Sequence, residues 1–135
     1  MVDCGAGRVQ DWASHGIEHE LSALYDCAHG AGLAVVMPAW MTFVHGADDA
    51  RFARFARNVF GVGHNESDAK AALDGIAAFR NWLKSLGMPL TFAELGARAE
   101  DIPLLVKTLN LGGNMLGSFK PLTADDVAAI YRLCL

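Results

Sequence analysis

Apolar positions recur at helical spacing along nearly the whole chain, and no strict alternation of apolar and polar residues runs longer than three positions. Residues 11–25 carry Trp12, Ile17, Leu21 and Leu24 among small residues, with Asp11 placed to help start a helix. Asp26-Cys27-Ala28 predicts a turn. His29-Gly30 then opens a second helix to about Val44, bent or interrupted at Pro38, which removes one amide and crowds the preceding turn. Asp48 or Asp49 begins a third helix, with Phe52, Phe55, Ala56 and Val59 at helical spacing and Gly61 and Gly63 at its end. The longest periodic segment, residues 67–86, presents Ala69, Ala72, Leu73, Ile76, Leu83 and Leu86 as a stripe and stops at Gly87, with Pro89 beyond. Thr91-x-x-Glu94 and Thr123-x-x-Asp126 both fit the capping-box pattern. The first introduces a short turn ending at Gly96, the second a C-terminal helix through Leu133. A further helix is predicted over residues 100–109, and residues 112–117 form a loop that needs permissive backbone. The pattern predicts an all-α helical bundle in a single domain.

Composition sharpens this picture. At 135 residues the chain fits one domain. Hydrophobic residues make up 53%; setting Tyr aside and counting Gly gives roughly 62%, on a scale where globular domains average about 45–50%. A small domain has little interior to hold that excess. It implies a core rich in Ala and Leu together with an apolar face meant for another domain or subunit. Trp12, Met37, Trp40 and Phe119 are expected in that face, beside the histidines discussed below, where they would promote self-association. A net charge of −4 with scattered cations gives no footprint for nucleic acid. The longest apolar run, residues 31–44, is broken by Pro38 and predicts no membrane span. The first sixteen residues hold no apolar signal core. Cys4, Cys27 and Cys134 are odd in number and lack C-x-x-C spacing, so neither a disulfide framework nor a zinc knuckle is indicated, and a cytoplasmic setting is expected.

The candidate chemistry lies in one stretch. Three of the five histidines, His15, His19 and His29, fall within fifteen residues. Histidine is the commonest neutral metal ligand. His15 and His19 are four apart, so on one helix they share a face, about 6 Å from each other along the axis. His29 is fourteen past His15, about 21 Å of rise on a straight helix. A shared ion with ligands at roughly 2.1 Å therefore demands a chain reversal, as between antiparallel helices, and residues 26–28 could supply it. Against this stands the ordinary role of a helical histidine, hydrogen-bonded or solvated. Two histidines are also fewer than the three or four protein ligands of a tight site. The zinc-protease H-E-x-x-H pattern is absent, because Glu does not follow His15 and Ala23 stands where His19-Glu20 would need a second His. His45 and His64 fall in turn-like segments and are expected to be solvated.

The spacing H-x-x-x-H-x9-H-G, together with Gly5-Ala6-Gly7-Arg8, Asp11-Trp12, the run from Glu18 through Tyr25, and Phe119-Lys120-Pro121-Leu122, resembles the iron-dependent alcohol dehydrogenases, in particular their butanol-dehydrogenase-like branch. The resemblance spans nearly the whole chain. It implies the helical C-terminal part of the dehydroquinate synthase-like fold, with His15 and His29 as two of four metal ligands. His19 would be the non-ligand histidine near nicotinamide and substrate, a proton relay and so the catalytic residue. It further implies a divalent metal, Fe²⁺ or Zn²⁺, acting as a Lewis acid, NAD(P) in the complete enzyme, and a small alcohol or aldehyde substrate. The family's other two ligands, an Asp and a His, come from an earlier helix, and its nucleotide is held by an N-terminal domain. Neither that helix nor a phosphate-binding loop is found here, so the chain is expected to be the metal-side part of such an enzyme and inactive alone. Asp11, four before His15, imitates the missing Asp-x-x-x-His pair without aligning to it, and an N-cap role is favoured. Glu18, Glu20 and Asp26 are possible acceptors that would orient the imidazoles, or simply solvated carboxylates. The other reading is a free-standing helical remnant or interaction module with at most weak metal binding and no catalysis.

Overall fold

In the computed structural model, which describes residues 9–135, seven α-helices follow one another among the described residues: α1 (Ala13–Tyr25), α2 (His29–Val44), α3 (Asp49–Phe55), α4 (Asp68–Ser85), α5 (Phe92–Leu95), α6 (Ile102–Thr108) and α7 (Ala124–Arg132). Among the same residues the only β pairing is one isolated bridge, Leu116 with Leu122. The fold is all-helical, as the periodicity predicts.

The helix ends follow local chemistry. Asp48, Ser67, Thr91 and Thr123 each accept an amide in the first turn of the helix that follows, and Thr123 with Asp126 completes a reciprocal capping box. Helix α4 stops where Gly87 donates to the Lys84 carbonyl and Met88 to that of Leu83, a paired closure that satisfies the last carbonyls. Between α1 and α2, Asp26 takes the left-handed conformation at φ 51°, and the chain turns back so that α2 packs on α1.

Helix α2 is the spine of the core. It buries Gly32, Ala34, Val35, Val36, Pro38, Ala39, Met41 and Val44 and touches α1, α4, α5 and α7. Of the bend or interruption expected at Pro38, the interruption does not occur: the helix is continuous through it. With the following turn it spans 19 residues at a mean hydropathy of 1.3, so that by length and composition alone it could cross a bilayer, a match that a break at Pro38 would have removed. Here 44% of that stretch is buried, with Val35, Val36, Ala39 and Val44 in the core. Tyr131 of α7 is wholly buried, and its hydroxyl donates to the Ile17 carbonyl at 2.7 Å, fastening α7 to α1. Tyr25 at the end of α1 donates to Asp101 at 2.6 Å and accepts from the Arg98 amide, holding the entry to α6.

Two apolar faces differ from expectation. After α3 the chain widens into a π-turn, Ala56–Phe60. Hydrogen bonding from i to i+5 retards the rotation of later residues. Val59 is thereby turned outward, 61% exposed, while Phe60 packs on Phe55 and Phe79. On α4 the buried positions are Ala71, Ala72, Gly75, Ile76 and Leu83, with Phe79 half-buried; Ala69, Leu73 and Leu86 are exposed. The stripe read from apolar side chains mixes two faces, because Gly75, which has no side chain to register, is a core position.

Candidate metal centre

His15 and His19 project from one face of α1, four residues apart. His29 is the first residue of α2, delivered by the turn at residues 26–28. The reversal brings the three rings together. The His29 ring centroid lies 5.5 Å from that of His15 and 5.3 Å from that of His19. These separations are on the scale of two metal–nitrogen bonds plus the half-width of two rings. The exposed Trp12 meets the edge of His15 at 5.0 Å and is tethered by donating to the Gln10 side chain. The His15 imidazole is held below its usual pKa, first by burial and then by the neighbouring His29 and His19. His19 and His29 are exposed. The cluster is thus a set of nitrogen donors open to solvent on one side and backed by the α1–α2 core on the other.

Glu18 supplies that backing. It occupies the buried stripe of α1 with Ser14, Ile17 and Leu21, and is 0% exposed. One carboxylate oxygen accepts from the Ser22 hydroxyl and the other from His29 Nδ1. Potential donor atoms of Glu18, His19 and His29 lie within 4.8 Å of one another, a grouping that includes Glu18 and omits His15. Both oxygens of Glu18 already have partners, however, so the imidazoles are the donors left available. Of the three carboxylates expected to be orienting or solvated, Glu18 therefore stands apart, wholly buried where a helix-surface carboxylate would be solvated. The signal for this lies in the sequence: spacing i, i+3, i+4, i+7 through 14, 17, 18 and 21 puts Glu18 in the core-facing stripe.

The other predicted residues fall elsewhere. Asp11 is not the N-cap of α1: that position is Trp12, and Asp11, one residue earlier, accepts the Ala13 amide at 2.8 Å and the amides of Ser118 and Phe119 at 2.7 Å each. Its oxygens are occupied by backbone, away from any ligand role. Glu20 lines a small hollow with Leu24 and Leu104, and Asp26 is exposed at the turn. His64 is exposed as expected. His45 is not solvated in the way expected: half-buried, it pairs with Asp49 at 2.6 Å, one turn further on. Of the residues expected in an apolar face, Trp12 is exposed beside His15, whereas Met37, Trp40 and Phe119 are half-buried against the core. Trp40 and Phe119 instead line an open groove of about 1030 Å³ with Phe52, Phe55, Arg51 and Arg54, and none of the three clustered histidines lines it. Cys4 and the Gly5-Ala6-Gly7-Arg8 flank lie outside the described residues.

With this geometry in hand, the relatives are informative. Residues 4–135 match the C-terminal portion of the Fe-containing alcohol dehydrogenase family. The probable NADH-dependent butanol dehydrogenase 2 of Bacillus subtilis is 36% identical over 134 residues, covering 96% of this chain and 34% of that protein. The NADH-dependent butanol dehydrogenase A of Clostridium acetobutylicum is 34% identical over 128 residues, covering 93% and 33%. Among solved structures, the NADH-dependent butanol dehydrogenase A of Thermotoga maritima superposes with a TM-score of 0.85 at 43% identity, over 92% of this chain and 33% of that one. The aldehyde reductase YqhD of E. coli does so with a TM-score of 0.87 at 32% identity, over 96% and 34%. The chain spans about a third of the length of the relatives it matches.

Proposed function

The chain belongs to the Fe-containing alcohol dehydrogenase family, and we propose that it forms the metal side of an NAD(P)-dependent enzyme that interconverts primary alcohols and aldehydes. The observation that carries this reading is the convergence of His15, His19 and His29 from α1 and α2, with ring centroids 5.3–5.5 Å apart around His29. The donor set fits a divalent metal: neutral imidazoles suit iron and zinc, and the buried Glu18 oxygen gives His29 the outer partner that metal-bound histidines generally have.

In this reading His15 and His29 hold the metal, Fe²⁺ or Zn²⁺. Once bound, it would supply Lewis acidity toward the alcohol or aldehyde oxygen. NAD(P), held by the part of the family fold that lies outside this third, would supply the hydride chemistry. His15, partly buried beneath the edge of Trp12, is the better protected nitrogen donor. His19 is exposed and adjoins His29, so an imidazole nitrogen there can take a proton when an alcohol is oxidised, pass it to water, and return it when an aldehyde is reduced. Trp12 covers one edge of His15. A cytoplasmic setting belongs to the same proposal and is supported by the free thiols of Cys27 and Cys134.

The 135 residues by themselves are expected to bind divalent metal weakly, because they bring two of the four ligands that the family resemblance implies, and to self-associate. They should show no dehydrogenase turnover. The test is purified chain with NADH or NADPH, butyraldehyde, and Fe²⁺ or Zn²⁺, followed by nicotinamide absorbance and, separately, by metal titration. Weak metal binding abolished by His29→Ala, without turnover, supports the proposal. Turnover that disappears in His15→Ala would show the chain to be self-sufficient. A chain indifferent to metal would transfer the argument to an interaction module without catalysis.

A further inference from the structure

A carboxylate at 0% exposure has lost its hydration, a cost that its partners must offset. Among the described residues, no lysine or arginine pairs with Glu18; its one ionisable partner is His29. The local packing has been shaped to keep it there. Gly32 of α2 faces it so closely that a Cβ on residue 32 would stand 2.8 Å from Glu18 Cγ and 2.9 Å from Cδ. Ser22, one turn after Glu18, donates to the oxygen that His29 does not use. An apolar side chain of similar volume would fill the same space without the hydration cost. What only a carboxylate or amide provides here is a directional acceptor aimed at one nitrogen of His29.

We propose that Glu18 is the positioning residue of the metal centre, acting through His29, with Ser22 fixing the carboxylate and Gly32 making room for it. A carboxylate only accepts, so the hydrogen bond fixes the proton of His29 on Nδ1 and leaves the Nε2 lone pair as the free donor. Because His29 heads α2, it has no preceding helical turn to restrain its ring, and 49% of its side chain is exposed. Glu18 supplies the restraint that secondary structure does not. The arrangement also gives a local sequence pattern, Glu-x3-Ser-x6-His-x2-Gly, in which each polar residue has a stated task.

This inference rests on His29 being a ligand, and the experiment separates the two. Co²⁺ alone is titrated into the full chain at one fixed pH, read by calorimetry and by visible absorbance, for wild type, Glu18→Met, Glu18→Gln and His29→Ala. Thermal melts of the metal-free proteins are run in parallel. Glu18→Met keeps the volume and removes the acceptor; its melting temperature should hold or rise while Co²⁺ affinity falls about 10–100-fold. Glu18→Gln keeps an acceptor oxygen and should stay within about threefold of wild type. His29→Ala should abolish binding. Wild-type affinity in Glu18→Met, with binding lost in His29→Ala, overturns the inference and leaves the metal-centre reading intact. Unchanged binding in His29→Ala overturns that reading and the inference with it. An equal loss in Gln and Met overturns the role of Glu18 as a directional acceptor. Should Glu18→Met fail to fold, nitrogen NMR of the metal-free wild type decides: His29 as the Nδ1–H tautomer supports the assignment, and the Nε2–H tautomer overturns it.

Discussion

Replacing Gly75 with alanine should destabilise the protein, although the change improves helix propensity. Gly75 is buried in the middle of α4, against Ala56 at the start of the π-turn that follows α3. A Cβ on residue 75 would meet the Ala56 methyl, and would stand 2.9 Å from Ala56 Cα and 3.4 Å from its amide nitrogen. Carbon atoms pack comfortably at about 3.5–4.0 Å, so the two segments must part by about 1 Å or more, the methyl being the nearest contact. Neither side can rotate away, because one is backbone and the other a methyl on backbone. The shift also disturbs the rings beside it, where Phe79 packs edge-on against Phe55 at 6.1 Å. Forced overpacking of this kind costs about 1–3 kcal/mol, and a clash with backbone belongs at the upper end. Alanine recovers about 1 kcal/mol of helix propensity relative to glycine. The net expectation is a loss of about 1–2 kcal/mol, a drop in melting temperature of about 3–10 °C at this chain length. Gly30→Ala is the control: it lies in α2, a Cβ there would have nothing within 4 Å, and the change should gain about 0.5–1 kcal/mol. Urea unfolding of both variants against wild type makes the comparison. A Gly75→Ala protein as stable as wild type, with the same urea dependence, would refute the steric argument.

Gly32→Ala would place a Cβ 2.8–2.9 Å from Cγ and Cδ of the wholly buried Glu18 and force its carboxylate off His29, so stability should fall by about 2–4 kcal/mol. Co²⁺ affinity should fall with it, as Glu18 loses His29, and an unchanged titration would contradict the expectation. Burial pushes the Cys134 thiol up to about 12, whereas Cys27 is half-buried at the turn. With a thiol reagent at about pH 8, near the ordinary thiol pKa, peptide mapping should find Cys27 modified in the folded protein and Cys134 only after denaturation; early labelling of Cys134 would mean that the α7 end opens readily.

Much of this protein was legible from local chemistry. The helix starts at Ser67, Thr91 and Thr123, the stop at Gly87, and the turn at residues 26–28 all stand where short-range hydrogen bonding alone would put them. The histidine spacing, with a reversal between His19 and His29, required the rings to meet if they shared any site, and they do meet. Tertiary structure decided what periodicity cannot encode. One π-turn rotated Val59 outward, because a change in hydrogen-bond register leaves no mark in composition. Close approach to Ala56 made Gly75, not Leu73, the inward position of α4. Pro38 remained inside a continuous helix that packs on α1, α4, α5 and α7. Glu18 became a buried acceptor because α2 brought His29 and Gly32 to it from another helix, and a carboxylate's partner across a turn is fixed by packing, whereas its place on its own helix is fixed by sequence.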